Sequence, residues 1–142
     1  MPKGGCACGK VRVEWDSEPS AKALCHCADC KKISGSAYST NIIIPNEGFK
    51  ITSGSPKTWA KRADSGADVT TSFCGDCGTN MWRTTPTFGE NRVVKVGILD
   101  DLSVLNSFEP AVELYAPERV SWLKKQEGAA QLKAMPGSEE VA

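Results

Sequence analysis

Seven cysteines and a single histidine are what this 142-residue chain offers for unusual chemistry. The cysteines form three groups: Cys6-x-Cys8, Cys25-x-Cys27-x-x-Cys30 and Cys74-x-x-Cys77. Two thiolates one or two residues apart can grip one ion from a tight turn. Glycines beside each group, such as Gly9, Gly35 and Gly78, let backbone amides face the sulfurs. Four thiolates at about 2.3 Å make a closed zinc site, which suits Cys6, Cys8, Cys74 and Cys77 together. The trio Cys25, Cys27 and Cys30 is one ligand short. Three protein ligands with an open fourth position is how zinc is presented to a substrate. A disulfide within the trio competes with this partition. So does His26, which either closes the trio as a fourth ligand or, with a ligand on each side, points away. A redox pair at Cys74-x-x-Cys77 calls for a thioredoxin-like βαβ context that the flanking sequence lacks.

Composition bounds what such a site can serve. Seventeen basic and seventeen acidic residues give zero formal charge, so nothing draws the whole chain to nucleic acid or to an anionic membrane. No apolar run approaches the roughly 20 residues of a membrane span. Met1 to Gly9 carries no charged segment leading into an apolar stretch, so no secretory signal is read there and a cytoplasmic setting is expected. An odd cysteine count in such a setting argues for metal over a disulfide framework.

The elements that must position these thiols read as short strands punctuated by Gly, Pro, Asn and Asp. Val11, Val13 and Trp15 alternate with Arg12 and Glu14, a half-buried strand. Further strands are expected at 22–25, 38–44, 49–52, 58–61, 68–73, 80–83, 93–98 and 112–115. Helical pieces are expected at 28–34, in a turn at 100–104, and at 118–125. The expectation is a mainly β single domain over residues 1–125, with 126–142 a flexible tail of small and polar residues.

The segments Gly5-Cys6-Ala7-Cys8-Gly9-Lys10-Val11, Cys25-His26-Cys27-Ala28-Asp29-Cys30-Lys31-Lys32 with Gly35-Ser36, and Phe73-Cys74-Gly75-Asp76-Cys77-Gly78-Thr79 resemble one family. It is the glutathione-dependent formaldehyde-activating enzyme family, also called the centromere protein V/GFA family. Val96 to Asp101 and Arg119 to Leu123 fit its pattern too, so the resemblance spans roughly residues 4–125. It implies a β-tent fold and two zinc ions. One is structural, on Cys6, Cys8, Cys74 and Cys77; the other is active, on Cys25, Cys27 and Cys30, with glutathione approaching it. The implied activity is carbon–sulfur lyase chemistry, joining glutathione to formaldehyde or acting on another small electrophile or conjugate.

The residues are consistent with that chemistry. Three thiolates leave a zinc centre with a net charge of about −1, a poor activator of water but a good seat for a further thiol. Around the trio, Lys31, Lys32 and Ser36 are candidate glutathione contacts, competing with a simply solvated role. Ser34 and Tyr38 can bond a ligand or cap the turn, Trp59 and Trp82 can line a pocket or pack a core, and Asp100 and Asp101 can move a proton or make a turn. His26 is the candidate general base. The rival function is a non-catalytic, zinc-stabilised binding module. A redox role requires a cysteine outside the ligand motifs. The expected partners are glutathione and a small substrate, with no nucleic acid or membrane, in a monomer or homodimer.

Overall fold

The computed structural model describes residues 1–63 and 66–142. The chain runs through β1 (Lys3–Gly5), β2 (Arg12–Glu14), β3 (Ala21–Cys25), α1 (Ala28–Ser34), β4 (Ser39–Pro45), β5 (Lys50–Ser53) and β6 (Lys57–Arg62). It continues through β7 (Asp68–Phe73), β8 (Asn80–Thr84), β9 (Asn91–Lys95), α2 (Ser103–Ser107), β10 (Val112–Leu114) and β11 (Ala130–Gln131). The fold is mainly β, as expected. Strands β1, β2 and β5 form a small antiparallel sheet. The large sheet runs β11-β10-β3-β4-β9-β8-β7-β6, with β10 parallel to both β3 and β11 and the other pairings antiparallel.

The period-two alternation of strands decides which face of the large sheet does what. Ile42, Ile44, Trp82 and Val94 face the small sheet and meet Val11, Val13 and Trp15 in the main core. Ile44 and Val94 are completely buried, each contributing about 1.5–3 kcal/mol by leaving water. Phe49 closes the core edge-on to Trp82, with ring centroids 5.1 Å apart. The intervening residues, Ala23, Cys25, Asn41, Val93 and Lys95 among them, therefore face the other way, where α1 lies.

Three expectations are corrected. The strand expected to reach Ile98 stops at Lys95, because Val96–Ile98 coils into a 3-10 turn around Gly97 that buries Val96 and Ile98 and lets Leu99 bridge Gly4. No helix forms over 118–125. Pro117 sits in a single 3-10 turn at Ala116–Glu118, and the Gln126 amide is taken by the Glu113 carboxylate at 2.8 Å. The segment 126–142 is seated as the far edge of the large sheet. Ala130 pairs with Val112, Leu132 N donates to Glu113 O, Ala116 N donates to Leu132 O, and Gln131 is buried. Gln131 Nε2 donates to Glu113 Oε2 at 2.7 Å, so a composition that reads as loose still makes a strand. Among the described residues, no helix is long and apolar enough to cross a membrane.

Candidate metal centres and the adjoining cavity

The Sγ atoms of Cys6, Cys8, Cys74 and Cys77 all lie within 4.8 Å of one another. Cys6 and Cys8 are 3.6 Å apart and Cys8 and Cys74 are 3.8 Å apart. A tetrahedron of sulfurs about 2.3 Å from its centre has edges of about 3.8 Å, so the donor set fits zinc. A disulfide needs about 2.05 Å, and every cysteine is free.

The two turns that carry these sulfurs are built alike. Gly9 and Gly78, directly after the second cysteine of each, have φ of +80° and +78°, a left-handed conformation that other residues adopt only at a cost. Gly9 N returns to Cys6 O and Gly78 N to Cys74 O, while Val11 N donates to Cys6 Sγ at 3.2 Å. Thr79 joins the turns: its hydroxyl accepts from Ala7 N at 3.0 Å and so donates its own proton to Cys77 Sγ at 3.2 Å. That bond, with backbone donors, lowers the Cys77 thiol to about 5. Cys8 is instead pushed up to about 11: a backbone bond at Lys10 favours its thiolate, but burial and the three neighbouring sulfurs outweigh it.

The sulfurs of Cys25, Cys27 and Cys30 form a second cluster, also within 4.8 Å of one another. Cys25 ends β3, while Cys27 caps α1, its sulfur accepting from Cys30 N at 3.3 Å. Bonds from Cys25 and Cys27 hold the Cys30 thiol down at about 2 against its burial, with Lys95 and Ser39 assisting, while Cys27, Cys30 and burial push Cys25 far up. Three soft donors converge with no fourth among the described residues, a fit for a zinc that keeps one position open.

His26 joins neither cluster. It is 1% exposed and its Nε2 donates to Glu113 Oε1 at 2.6 Å. Glu113 is equally buried and also accepts from Arg119, Gln126 N and Gln131. Burial alone would raise the Glu113 carboxyl, but these donors hold it below the usual range. His26 thus ties the trio's loop to the C-terminal segment.

Beside the trio lies a cavity of about 290 Å³, floored by the outward face of the large sheet. Ala23 and Cys25 come from β3, Asn41 and Ile43 from β4, Val93 and Lys95 from β9, with Arg83 and Lys61 further along. Cys27, Asp29 and Cys30 of α1 line it, as do Tyr115 and, from the C-terminal segment, Met135. The four-cysteine cluster is not part of this lining. Neither are His26, Lys31, Lys32 and Ser36. Lys31 donates to Glu118 O at 2.6 Å, while Lys32 and Ser36 are exposed on the surface. Ser34 bonds Cys30 O, Tyr38 stands against the His26 ring, Trp82 is in the core and Trp59 is exposed on β6. Asp100 pairs with Arg12, and Asp101 accepts from Ser103 at the start of α2. The sequence reading missed Asn41, Arg83 and Lys95. Their local sequence carried little signal: Asn41 follows Ser39 and Thr40, Arg83 sits between Trp82 and Thr84, and Lys95 ends a strand begun by Asn91 and Arg92.

The model of the family described as "Glutathione-dependent formaldehyde-activating enzyme" matches residues 1–118. The chain belongs to this family. The match takes in all seven cysteines and ends before the segment that supplies Met135. Among solved structures, the chain is similar to a Rhodobacter sphaeroides protein from a structural-genomics programme. The TM-score is 0.60 at 19% identity, over 76% of this chain and 96% of that one, a likeness of fold. No curated protein matches the chain.

Proposed function

We propose that this member of the family is a carbon–sulfur lyase-type enzyme that forms or breaks a C–S bond between glutathione and a small electrophile such as formaldehyde. One observation carries the reading: of the two sulfur clusters, the one with three donors borders the cavity, and the one with four does not. Cys6, Cys8, Cys74 and Cys77 would hold a structural zinc, and Cys25, Cys27 and Cys30 the active one. When bound there, zinc supplies a Lewis-acid seat that keeps a fourth, incoming sulfur in its thiolate form.

The chain's own residues do the rest. Lys61, Arg62 and Arg83 line the cavity against Asp29 and Glu118, an excess of positive charge suited to the carboxylates of a peptide. Asp29 accepts from Arg83 at 2.9 Å and from Lys61 at 3.1 Å, which fixes both cations over the floor. Ile43, Val93 and Leu114 give the chamber apolar walls that exclude water from the reacting sulfur.

Zinc-edge absorption on protein loaded with two zinc ions tests the reading. Saturating glutathione should raise the mean sulfur count per zinc from about 3.5 to about 4, the average over a four-sulfur and a three-sulfur site. An unchanged spectrum, with no glutathione bound, would refute it and favour a zinc-stabilised binding module.

A further inference from the structure

The cavity's four cations are not equivalent. Arg83 and Lys61 both pair with Asp29, and Arg62 pairs with Asp68. Lys95 has no carboxylate partner among the described residues. Its one hydrogen bond runs to Asn41 Oδ1 at 2.7 Å. Burying its ammonium is costly, and the charge that offsets that cost is the trio's thiolates.

Its placement is also tightly determined. Lys95 stands opposite Asn41, and Asn41 opposite Ala23, so the three form one row across β9, β4 and β3. The next position along β3 on the same face is Cys25. The Asn41 amide cannot turn over, because its Nδ2 donates to Ser39 Oγ at 2.9 Å, Ser39 O at 3.2 Å and Ala23 O at 3.3 Å. That leaves Oδ1 for the lysine. One of three ammonium protons is used on Asn41, and the other two remain for a ligand in the cavity. Burial lowers the basicity of Lys95, with Arg83 adding to this and the trio's thiolates opposing it. It is thus a better proton donor than a solvated lysine.

We propose that Lys95 is a catalytic residue that binds the oxygen of a carbonyl electrophile and protonates it as the C–S bond forms. This rests on the glutathione reading and narrows its electrophile to aldehydes and related carbonyl compounds, which need such a donor; a substrate that expels a stable anion does not. The glutathione thiolate's lone pair makes the new bond to the carbonyl carbon. The C=O π pair moves to oxygen, and oxygen takes a proton from Lys95 Nζ. The amine then regains from water the proton the thiol had released. Thiol plus aldehyde gives hemithioacetal, and cleavage retraces the same path.

The test compares wild type, Lys95→Met and Lys95→Arg, all loaded with two zinc ions. Exchange NMR follows S-hydroxymethylglutathione formation from glutathione and formaldehyde, and calorimetry follows glutathione binding. Lys95→Met should lower kcat about 100-fold, the usual scale of a lost general acid, with zinc content unchanged and glutathione affinity within about 3-fold. Lys95→Arg keeps the charge and the fold but gives up its proton far less readily, so it should recover only part of that loss. An unaltered kcat in either variant overturns the proposal. So does a rate loss in both that simply tracks loss of zinc or of glutathione binding, since Lys95 would then only support the site. Should wild type bind no glutathione, the functional reading itself fails and the assignment falls with it. Should wild type bind glutathione and turn over with Lys95→Met equally fast, only the role of Lys95 fails.

Discussion

Replacing Glu113 by Gln tests how the C-terminal segment is held to the metal-binding loop. Four donors converge on this one carboxylate: His26 Nε2 at 2.6 Å, Gln131 Nε2 at 2.7 Å, Gln126 N at 2.8 Å and Arg119 Nε at 3.4 Å. Glutamine keeps the shape but has one acceptor oxygen, and its amide group then faces donors. At least two donors lose their partner and Arg119 loses its counter-charge. Breaking a buried charged network costs about 3–5 kcal/mol. For a chain of this length each kcal/mol lowers Tm by about 3 °C, so a drop of about 10 °C or more is expected in a calorimetric scan of zinc-loaded protein. The wild-type network is also acid-sensitive in a definite sense. The folded Glu113 carboxyl lies below its usual value, so its stabilisation is complete above about pH 4.5 and is lost as pH falls through the depressed folded value. Glu113→Gln should lack that acid limb. Limited proteolysis of the variant should cut near residue 125 first. A Tm within about 2 °C of wild type, with an unchanged acid profile, would refute this account of the network.

Three further outcomes follow from the sites. Cys27→Ser should lose one zinc of two and keep its fold, whereas Cys74→Ser should lose the ion joining the N-terminal turn to Cys77 and unfold at markedly lower temperature; plasma emission and circular dichroism read both. Thr79→Val removes the acceptor for Ala7 N and the donor to Cys77, so stability should fall by about 1–2 kcal/mol in urea titration, with faster zinc release to a chelator. Met135→Ala should widen the cavity beside the trio, raising kcat/KM for a longer aldehyde relative to formaldehyde while glutathione binding stays put, as competition kinetics would show.

How much of this was legible in the sequence depends on range. The helix at 28–34 matches α1 to the residue, because Cys27 as cap and Gly35 as the left-handed stop are local signals. The grouping of cysteines was equally readable, since each turn carries its own spacing and glycine. The cavity was not. It gathers residues from β3, β4, β6, β8 and β9, which only strand register places side by side. Lys31, Lys32 and Ser36 looked suitable because they follow the trio in the chain, yet α1 turns them away from the cavity. The direction of His26 was decided by Glu113, 87 residues away. Gln131 looked like part of a tail because its partner, the same Glu113, is recognisable only once β10 and β11 lie together.

The chamber has two owners. Its sulfurs come from the part of the chain that matches the family, while Met135 arrives from beyond residue 118, on a segment held by the pairing of β11 with β10 and by the Glu113 carboxylate. Changes upstream of residue 118 risk the thiol clusters, but changes around position 135 reshape the room without disturbing them. Side chains around Met135 can therefore decide which guests the cavity admits while the thiol ligands stay as they are.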